Sequence, residues 1–252
     1  MKTNRFVLTA SEMHKQAQKF NPGSAPGFDG WSPAELRKLP LQAWKDREHV
    51  ERRIYAEGRL PNVYLQVPIS MLRKGDGLTP LQHRGISVFP GNYRLMAGVW
   101  WTRVLPSLVQ WVHPDACGAV PGRECLEAAF DAQLDFELSI INGEEQTQIG
   151  TDYDKFFDTF DPNFMHSLHI AVGLPTALAD VILYMYSNIQ RRLKINKHLG
   201  KPLVCNRGAG QGDTYAVLGA HFLTTIQFRH VSHECPTVKK SAVVDDRSFR
   251  GK

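Results

Sequence analysis

The sequence predicts an α+β fold in which helices are mixed with hairpins and short strands along the chain. The order of helical and strand-like patterns is one of the observations behind this prediction, because no regular repeat of either pattern runs through the chain. The composition is the other: the 252 residues are 42% hydrophobic and 22% charged, which is typical of a globular protein with a buried core.

Helices are predicted where a capping residue or a proline introduces an amphipathic pattern. Ser32 and Pro33, as cap and first helical residue, open a short helix that ends near Lys38. In the long fourth helix, Trp100 and Trp101 are expected to pack in the core rather than to stack on bases. The predicted helices cover residues 11–20, 32–38, 41–57, 92–112, 124–137, 162–172, 175–189 and 211–228.

Strands are predicted where β-branched or alternating residues lie between turn-forming glycines and prolines. Residues 63–72 and 84–89 are expected to form a hairpin around a turn at residues 74–77. The remaining predicted strands cover residues 145–153, 191–195, 202–206 and 239–244. The first and last of these end in acidic residues, which are candidate metal ligands.

The formal net charge of +5 is compatible with a nucleic-acid partner and equally with an ordinary soluble basic protein. No two of the four cysteines have C-x-x-C spacing, so a zinc finger or redox motif is not indicated. No apolar run reaches the length of about 18 residues that a membrane span needs, and the N-terminus lacks the apolar stretch of a signal peptide. The sequence therefore predicts a soluble intracellular protein, without distinguishing nucleus from cytoplasm.

Three aspartates lie at predicted strand ends: Asp152 after one strand, Asp245 and Asp246 after another. Adjacent acids on a strand point to opposite faces, so one of the pair can share a face with Asp152 and the other must reach from the turn. Converging carboxylates repel one another unless a cation binds, and Mg²⁺ suits such a site because it takes few carboxylates together with substrate phosphates. Two ions there would support phosphoryl transfer. Solvated turn residues are the alternative interpretation of Asp245 and Asp246.

Two further segments carry residue types that suit a nucleotide. In RGAGQGDTYA, glycines permit close backbone approach, and Gln211 and Asp213 are expected to begin a helix whose first amides favour phosphate. A simple strand-to-helix turn is the alternative. Lys74 and Arg84 flank the hairpin turn, where cations would hold a triphosphate, with surface charge for solubility as the alternative.

Six segments, in this order, resemble those of reverse transcriptases of the non-long-terminal-repeat retrotransposon type, whose relatives include group II intron and retron enzymes. The resemblance extends from about residue 21 to residue 249. The matching segments are APGFDGW at 25–31, a fingers block at 60–103, CGAVPGRE at 117–124, DYDKFFDTFD at 152–161 (motif A), RGAGQGDTYA at 207–216 (motif B) and AVVDD at 242–246 (motif C).

The resemblance implies a right-hand polymerase fold that lacks a thumb. Residues 1–115 would form an N-terminal extension and the fingers. Residues 116–252 would form a palm with an antiparallel sheet packed on helices, incomplete at its C-terminal side. The implied enzyme is an RNA-directed DNA polymerase, a nucleotidyltransferase that uses an RNA template, a DNA primer, deoxynucleoside triphosphates and two Mg²⁺ ions, with Mn²⁺ as a substitute.

The same resemblance assigns metal ligands. Asp152 would bind both ions and Asp245 would be the second main ligand, with Asp246 as the neighbouring, less central acid. The backbone carbonyl of Tyr153 would help to hold a metal.

The resemblance also assigns nucleotide contacts. The ring of Phe157 would exclude a ribose 2′-hydroxyl and so select deoxynucleotides. Gln211 would contact the template or the incoming nucleotide, with Gly212 leaving room for it, and Lys74 and Arg84 would grip the triphosphate.

The motifs depart from the family pattern at five positions that are not metal ligands: Val243 for Tyr or Phe, Gly210 for Pro, Ala216 for Ser, Phe156 for Ala and Gly85 for Pro. The chain stops six residues after Asp246, so the partner strand of the acidic strand is expected to be incomplete and the sequence to be a fragment. A truncated, catalytically inactive nucleic-acid-binding remnant is therefore the main alternative. An RNA-dependent RNA polymerase is a third interpretation, which Phe157 disfavours.

Overall fold

A computed structural model describes residues 7–76, 79, 82–195 and 198–252. The first six residues, which belong to the N-terminus inspected for a signal peptide, and Gly77 of the predicted hairpin turn lie outside the described residues. Helices and strands are mixed along the chain, so the predicted α+β class is confirmed. Among the described helices, none has the length and apolar character that crossing a membrane requires.

Eight α-helices lie in the described part of the chain. Their bounds are α1 Ala10–Gln18, α2 Pro33–Lys38, α3 Leu41–Glu57, α4 Gly91–Trp111, α5 Cys125–Asn142, α6 Pro162–Ala171, α7 Thr176–Asn188 and α8 Thr214–Glu234. The Ser32 cap of α2 is confirmed, because its hydroxyl accepts a hydrogen bond from the backbone N–H of Glu35 at 3.3 Å. Trp100 of α4 is buried, as expected, and Trp101 is half-buried.

The strands in the described residues are β1 Gln66–Arg73, β2 His83–Ser87, β3 Ala116–Cys117, β4 Thr147–Thr151, β5 Gln190–Ile195, β6 His198–Leu199, β7 Leu203–Val204, β8 Lys239–Val243 and β9 Asp246–Gly251. The predicted hairpin is confirmed by the antiparallel pairing of β1 with β2. The first strand begins later than predicted, because Asn62–Leu65 forms a 3₁₀ turn. The sequence patterns did not predict β3, β6 or β9.

The strands form two sheets, one with the order β2-β1-β5-β6 and β7 paired to β5, and one with the order β3-β8-β9-β4. Strands β1 and β5 are parallel, as are β3 and β8, so both sheets are mixed. The prediction of an antiparallel sheet for residues 116–252 is therefore wrong for the β3–β8 pair. These two strands are parallel because the chain passes from β3 to β8 through a long crossover that contains helices, which gives both strands the same direction.

The chain forms two compact units, each made of two stretches of sequence. The first unit combines Met1–Val104 with Phe157–Ala216, and the second combines Leu105–Phe156 with Val217–Lys252. The predicted division into fingers and palm at residues 115/116 stays a prediction. The long-range pairing of β5 with β1 places residues after motif A in the first unit.

The core of the first unit is apolar. Large side chains from five of its helices are fully buried there: Met13, Leu36, Trp44, Met96, Leu178 and Met185. Because apolar burial is the main favourable term in folding, these helices are held by their shared core more than by local propensity.

In the second unit, α8 and α5 lie on opposite faces of the four-stranded sheet. Phe249 of β9 packs against Phe228 of α8, with the ring centroids 5.8 Å apart. The next residue, Arg250, points to the other face, where its Nε lies 3.2 Å from a carboxylate oxygen of Asp135 in α5. Helix α8 therefore covers one face of the sheet, and α5 covers the other.

Strand β9 corrects the expectation of an incomplete partner strand. Its residues pair antiparallel with β8 from Val243 opposite Asp246 to Lys239 opposite Arg250. On its other side, β9 pairs antiparallel with β4. Strand β8, which leads into the acidic pair, therefore has its antiparallel partner β9 within residues 239–251.

Helix α5 differs from the other helices in its burial. The structure describes all of its residues, and none of them is buried. Four large apolar side chains on it are at least 65% exposed: Leu126, Phe130, Ile140 and Ile141. Exposed apolar surface of this size on a helix is uncommon in a soluble monomer.

Candidate functional site

The acidic pair lies at a tight hairpin tip in the second unit. Strand β8 ends at Val243 and β9 begins at Asp246, so Val244 and Asp245 form a two-residue turn. The φ angle of Val244 is 60°, which is rare for a β-branched residue but suits the turns that join twisted hairpin strands. Strain of this kind persists only where the surrounding structure determines the backbone, and it is enriched at functional sites.

The tertiary structure brings Asp152 and Asp246 to the same place. Strand β4 pairs with β9 up to Thr151 opposite Arg247, and one further residue along this register sets Asp152 opposite Asp246. Both aspartates line a groove of about 430 Å³ between α5 and the sheet, which we call the α5 groove. Two acid-bearing strand ends that are remote in sequence therefore lie side by side, and their role as metal ligands stays a prediction.

The rest of the α5 groove is built from small and polar residues. Helix α5 contributes Cys125, Ala128, Ala129 and Ala132, and the strands contribute Gln148, Gly150, Ser241 and Ser248 among others. The short side chains on the helix leave the space open, and the polar side chains on the sheet provide hydrogen-bonding groups near the two carboxylates.

Asp245 has a different environment from the other two acids. It lies half-buried in the turn and is not among the residues that line the α5 groove. Across residues 7–76, 79, 82–195 and 198–252, no group of three or more His, Cys, Asp or Glu side chains is arranged to hold a metal ion. The structure thus pairs Asp152 with Asp246, and the assignment of Asp245 as the second main ligand stays a prediction.

The donor set of this pair fits a hard divalent cation. Two carboxylates offer only oxygen ligands, and Mg²⁺ is commonly held by one or two carboxylates, with water and substrate phosphates completing its octahedral shell. Asp152, Asp246 and, from the turn, Asp245 are thus the residues that could hold such ions, with the backbone carbonyl of Tyr153 as a further oxygen.

A buried arginine lies directly beside the acids. The guanidinium carbon of Arg247 is 4.6 Å from the ring centroid of Tyr153 and 5.3 Å from that of Phe156. Arg247 Nη1 donates to the Tyr153 hydroxyl at 3.2 Å and also to the side-chain oxygen of Gln227. Burial lowers the pKa of Arg247, and the nearby Tyr153 and Asp245 oppose that effect.

Sequence reasoning missed Arg247 and Gln227. Arg247 lies in a strand with two buried arginines and no apolar alternation, so no pattern marks it as a strand residue or as part of a site. Gln227 lies in the middle of α8, and only the tertiary fold shows that it contacts Tyr153, to which its amide donates at 3.1 Å.

Phe157 belongs to the first unit and lies beside the motif B segment. The backbone N–H of Ala209 donates to the carbonyl of Phe157 at 2.7 Å, and that of Gly208 donates to Phe160 at 2.7 Å. The Phe157 ring is half-buried, with its centroid 5.7 Å from that of Phe160. The residue predicted to select the sugar and the segment that carries Gln211 are therefore held together within one unit.

The motif B glycines serve contacts inside the protein. The carbonyl of Gln211 accepts from the backbone N–H of Ser87 at 2.9 Å. Gly212 has a φ of +105°, and a Cβ there would lie 3.1 Å from the Ser87 carbonyl oxygen. A Cβ on Gly210 would come within 2.6 Å of the Phe89 ring. The absence of a side chain at Gly210 and Gly212 therefore lets this segment pack closely against Ser87 and Phe89. The contact of Gln211 with a nucleotide stays a prediction.

The predicted start of the eighth helix at Gln211 is wrong, because the helix begins at Thr214, directly after Asp213. Its buried carboxylate accepts from the hydroxyl of Tyr93 at 3.1 Å and from that of Tyr186. Burial raises the pKa of Asp213 to about 6, although these hydroxyls and the amides of Thr214 and Tyr215 lower it. The first amides of α8 are therefore bound by Asp213 and are not open to a phosphate.

Lys74 and Arg84 lie on the same face of the β1–β2 hairpin. Arg84 is opposite Leu72, and the backbone N–H of Lys74 donates to the Gln82 carbonyl at 2.7 Å, which continues the pairing. Both side chains are exposed, and neither forms an ion pair with a described residue. Two cationic side chains on one hairpin face, without an ion-pair partner among the described residues, can bind a phosphate-bearing ligand.

Comparison with known proteins shows one informative similarity. No family model matches the chain. Over 206 residues, it is 24% identical to the transposon TX1 uncharacterized 149 kDa protein of Xenopus laevis. The match covers 81% of this chain but only 16% of the Xenopus protein, so the chain corresponds to a small part of that protein's length. The chain is thus similar to a transposon protein.

Proposed function

We propose that this chain is the RNA-directed DNA polymerase domain of a retrotransposon, and that it adds deoxynucleotides to a primer 3′-hydroxyl by two-metal nucleotidyl transfer. The observation that carries the proposal is the convergence of Asp152 and Asp246 on one groove, with Asp245 in the turn between β8 and β9. The order of the six motifs and the similarity to a transposon protein support it.

The carboxylates of the second unit would hold the metal ions. Asp152 and Asp245 are assigned as main ligands and Asp246 as their neighbour, with the Tyr153 carbonyl as an additional oxygen. Bound Mg²⁺ ions would lower the pKa of the attacking hydroxyl and stabilise the entering and leaving oxygens. The role of the chain itself is to keep several negative groups close together on rigid strand ends before the ions arrive.

The first unit would bind the nucleotide. Lys74 and Arg84 would neutralise the triphosphate, because guanidinium and ammonium groups form strong charge-assisted hydrogen bonds with phosphate oxygens. Phe157 would exclude a 2′-hydroxyl by its bulk, and Gln211 would contact the template or the incoming base beside Gly212.

A primer-extension assay tests the proposal. The full chain is given an RNA template annealed to a DNA primer, deoxynucleoside triphosphates and Mg²⁺. Incorporation is expected in the wild type and is expected to be lost in Asp152→Asn and Asp245→Asn. Asp154→Asn is the matched control, because Asp154 is an exposed acid in the same loop and no role is assigned to it.

A second candidate function is a non-catalytic nucleic-acid-binding remnant of such an enzyme. It is favoured by the finding that the described residues contain no three-ligand metal group. Tight binding of primer–template without incorporation by the wild type, under conditions that support a known reverse transcriptase, would establish the remnant and refute the polymerase.

A further inference from the structure

Arg247 ties together the two strand ends that carry the acids. It is the second residue of β9, directly after Asp246, and only 6% of it is exposed. Its guanidinium stacks on the ring of Tyr153, the residue directly after Asp152, and donates to the hydroxyl of that tyrosine at 3.2 Å. The two acids are therefore linked through the side chains of their immediate neighbours.

A third element completes this link. Gln227 of α8 accepts a hydrogen bond from Arg247 and donates one to the Tyr153 hydroxyl at 3.1 Å. Each of the three side chains contacts the other two, and each comes from a different segment of the second unit. We call Arg247, Tyr153 and Gln227 the arginine brace.

The burial of Arg247 requires an explanation. A buried charge is costly unless it is paired, and Arg247 forms no ion pair of 4 Å or less with any residue that the structure describes. Among the same described residues, its Nε and Nη2 have no hydrogen-bond partner. A methionine would fill the position without that penalty.

Two physical effects of Arg247 bear on the acids. The planar guanidinium stacks and donates in fixed directions, so it restricts the position of the Tyr153 backbone next to Asp152. Its positive charge lies close enough to Asp245 to interact with it. Like carboxylates at adjacent strand ends repel one another before a cation binds, and a fixed contact between the two ends opposes their separation.

We propose that Arg247 is a positioning residue that acts through Tyr153 and Gln227 to hold the acid-bearing ends of β4 and β9 at metal-binding distance. This inference rests on the proposed function and deepens it. Groups that orient metal ligands typically change metal affinity or activity by about 10–100-fold when they are removed.

Direct metal binding tests the inference without an activity assay. Mn²⁺ binding by the full chain is measured from the loss of the free-ion signal in electron paramagnetic resonance. Arg247→Met is expected to weaken Mn²⁺ binding by about tenfold or more. Arg247→Lys keeps the charge but lacks the planar fork, and is expected to bind nearly as weakly. Wild-type affinity in either variant would overturn the inference.

Matched variants separate positioning from loss of folding. Arg229→Met removes an exposed arginine of α8 that likewise stacks on an aromatic ring of the second unit, Trp111, and it is expected to keep Mn²⁺ affinity. A loss in Arg229→Met equal to that in Arg247→Met would show a general structural effect and overturn the inference. Tyr153→Phe deletes one hydroxyl of a half-buried residue, and it is expected to fold and to bind Mn²⁺ several-fold more weakly.

The Tyr153→Phe/Arg247→Met double variant tests the route through Tyr153. If the two residues act as one unit, the double variant binds Mn²⁺ no more weakly than Arg247→Met alone. Effects that multiply would overturn the linkage. A different result would show that the proposed function itself is wrong. In that case the wild type would not bind Mn²⁺, or Asp152→Asn would bind it as tightly as the wild type does. If Asp152→Asn abolishes binding while Arg247→Met preserves it, only the inference fails.

Discussion

Asp152 and Asp246 line one groove from the ends of neighbouring strands, although the stretch of sequence between them includes Phe157–Ala216 of the first unit. Residue 152 follows the last paired residue of β4, and residue 246 is the first paired residue of β9. Facing residues on one side of adjacent strands have Cβ atoms about 5 Å apart, which is close enough for two carboxylates to share a cation.

Under the proposed function, this relationship predicts that Asp246 contributes to metal binding more than the resemblance to reverse transcriptases implies. Asp246→Asn is expected to lower primer extension by about 10³-fold, because the loss of a metal contact removes several kcal/mol of transition-state stabilisation. Single-turnover incorporation at increasing Mg²⁺ measures the effect. Activity within a few-fold of wild type in Asp246→Asn, together with loss in Asp245→Asn, would contradict this added role of Asp246 and leave Asp152 and Asp245 as the main ligands.

Phe157→Ala is expected to admit ribonucleotides. Under the proposed function the ring excludes a 2′-hydroxyl, so its removal should lower the preference for deoxynucleotides, measured as the ratio of kcat/KM values, by at least about tenfold. Phe164→Ala, which truncates an exposed phenylalanine of α6, is the control and should keep the preference. An unchanged ratio in Phe157→Ala would show that the ring has a packing role and does not select the sugar.

Asp213 predicts a dependence of stability on pH. Its pKa is raised from 3.8 to about 6 in the folded protein, so the folded state binds more protons than the unfolded state between these values. The free energy of unfolding therefore falls as pH rises from about 4 to about 6, by on the order of 3 kcal/mol at this one group.

Asp213→Asn removes this titration and is expected to flatten that part of the profile. Urea unfolding of the wild type and the variant between pH 4 and pH 7 measures the difference between their stabilities, which should narrow or reverse as pH rises. Asp154→Asn, at an exposed position, should leave the profile of the wild type unchanged. A constant difference across this range would mean that Asp213 does not titrate there.

Gly212→Ala is expected to destabilise the first unit by about 1–3 kcal/mol, because alanine tolerates the φ of +105° poorly and its Cβ would lie 3.1 Å from the Ser87 carbonyl oxygen. Gly150→Ala is the matched control, since a Cβ there meets no atom within 4 Å and the backbone φ is not positive. Thermal unfolding compares the two. Equal stability of both variants would show that β2 moves to accommodate the methyl group.

Helices were the elements that sequence reasoning predicted best. Caps and turn residues act within a few positions, as at Ser32 before α2 and Gly58 after α3, so the helix ends could be read from neighbouring residues. The start of α8 was wrong because Asp213, which reads as an early helical residue, is drawn into a buried cluster with Tyr93 and Tyr186.

Strands carried less local information. Strand β9 contains Asp246, two buried arginines and only one large apolar residue, so it has no alternation from which a half-buried strand could be predicted. Strand β3 has two residues and is held by its pairing with β8. The partner of β3, and one of the two partners of β9, are distant in sequence, and local patterns cannot report such partners.

The sequence by itself determined the α+β class, the positions of the helices and the aspartates that follow two strands, because caps, hydrophobic periods and acidic residues are local features. Only the tertiary structure decided that β4 pairs with β9, that Asp152 faces Asp246 and that Arg247 stacks on Tyr153. These contacts join segments that lie far apart in the chain, and they form only when burial of the surrounding sheet and helices offsets the entropy lost in bringing those segments together.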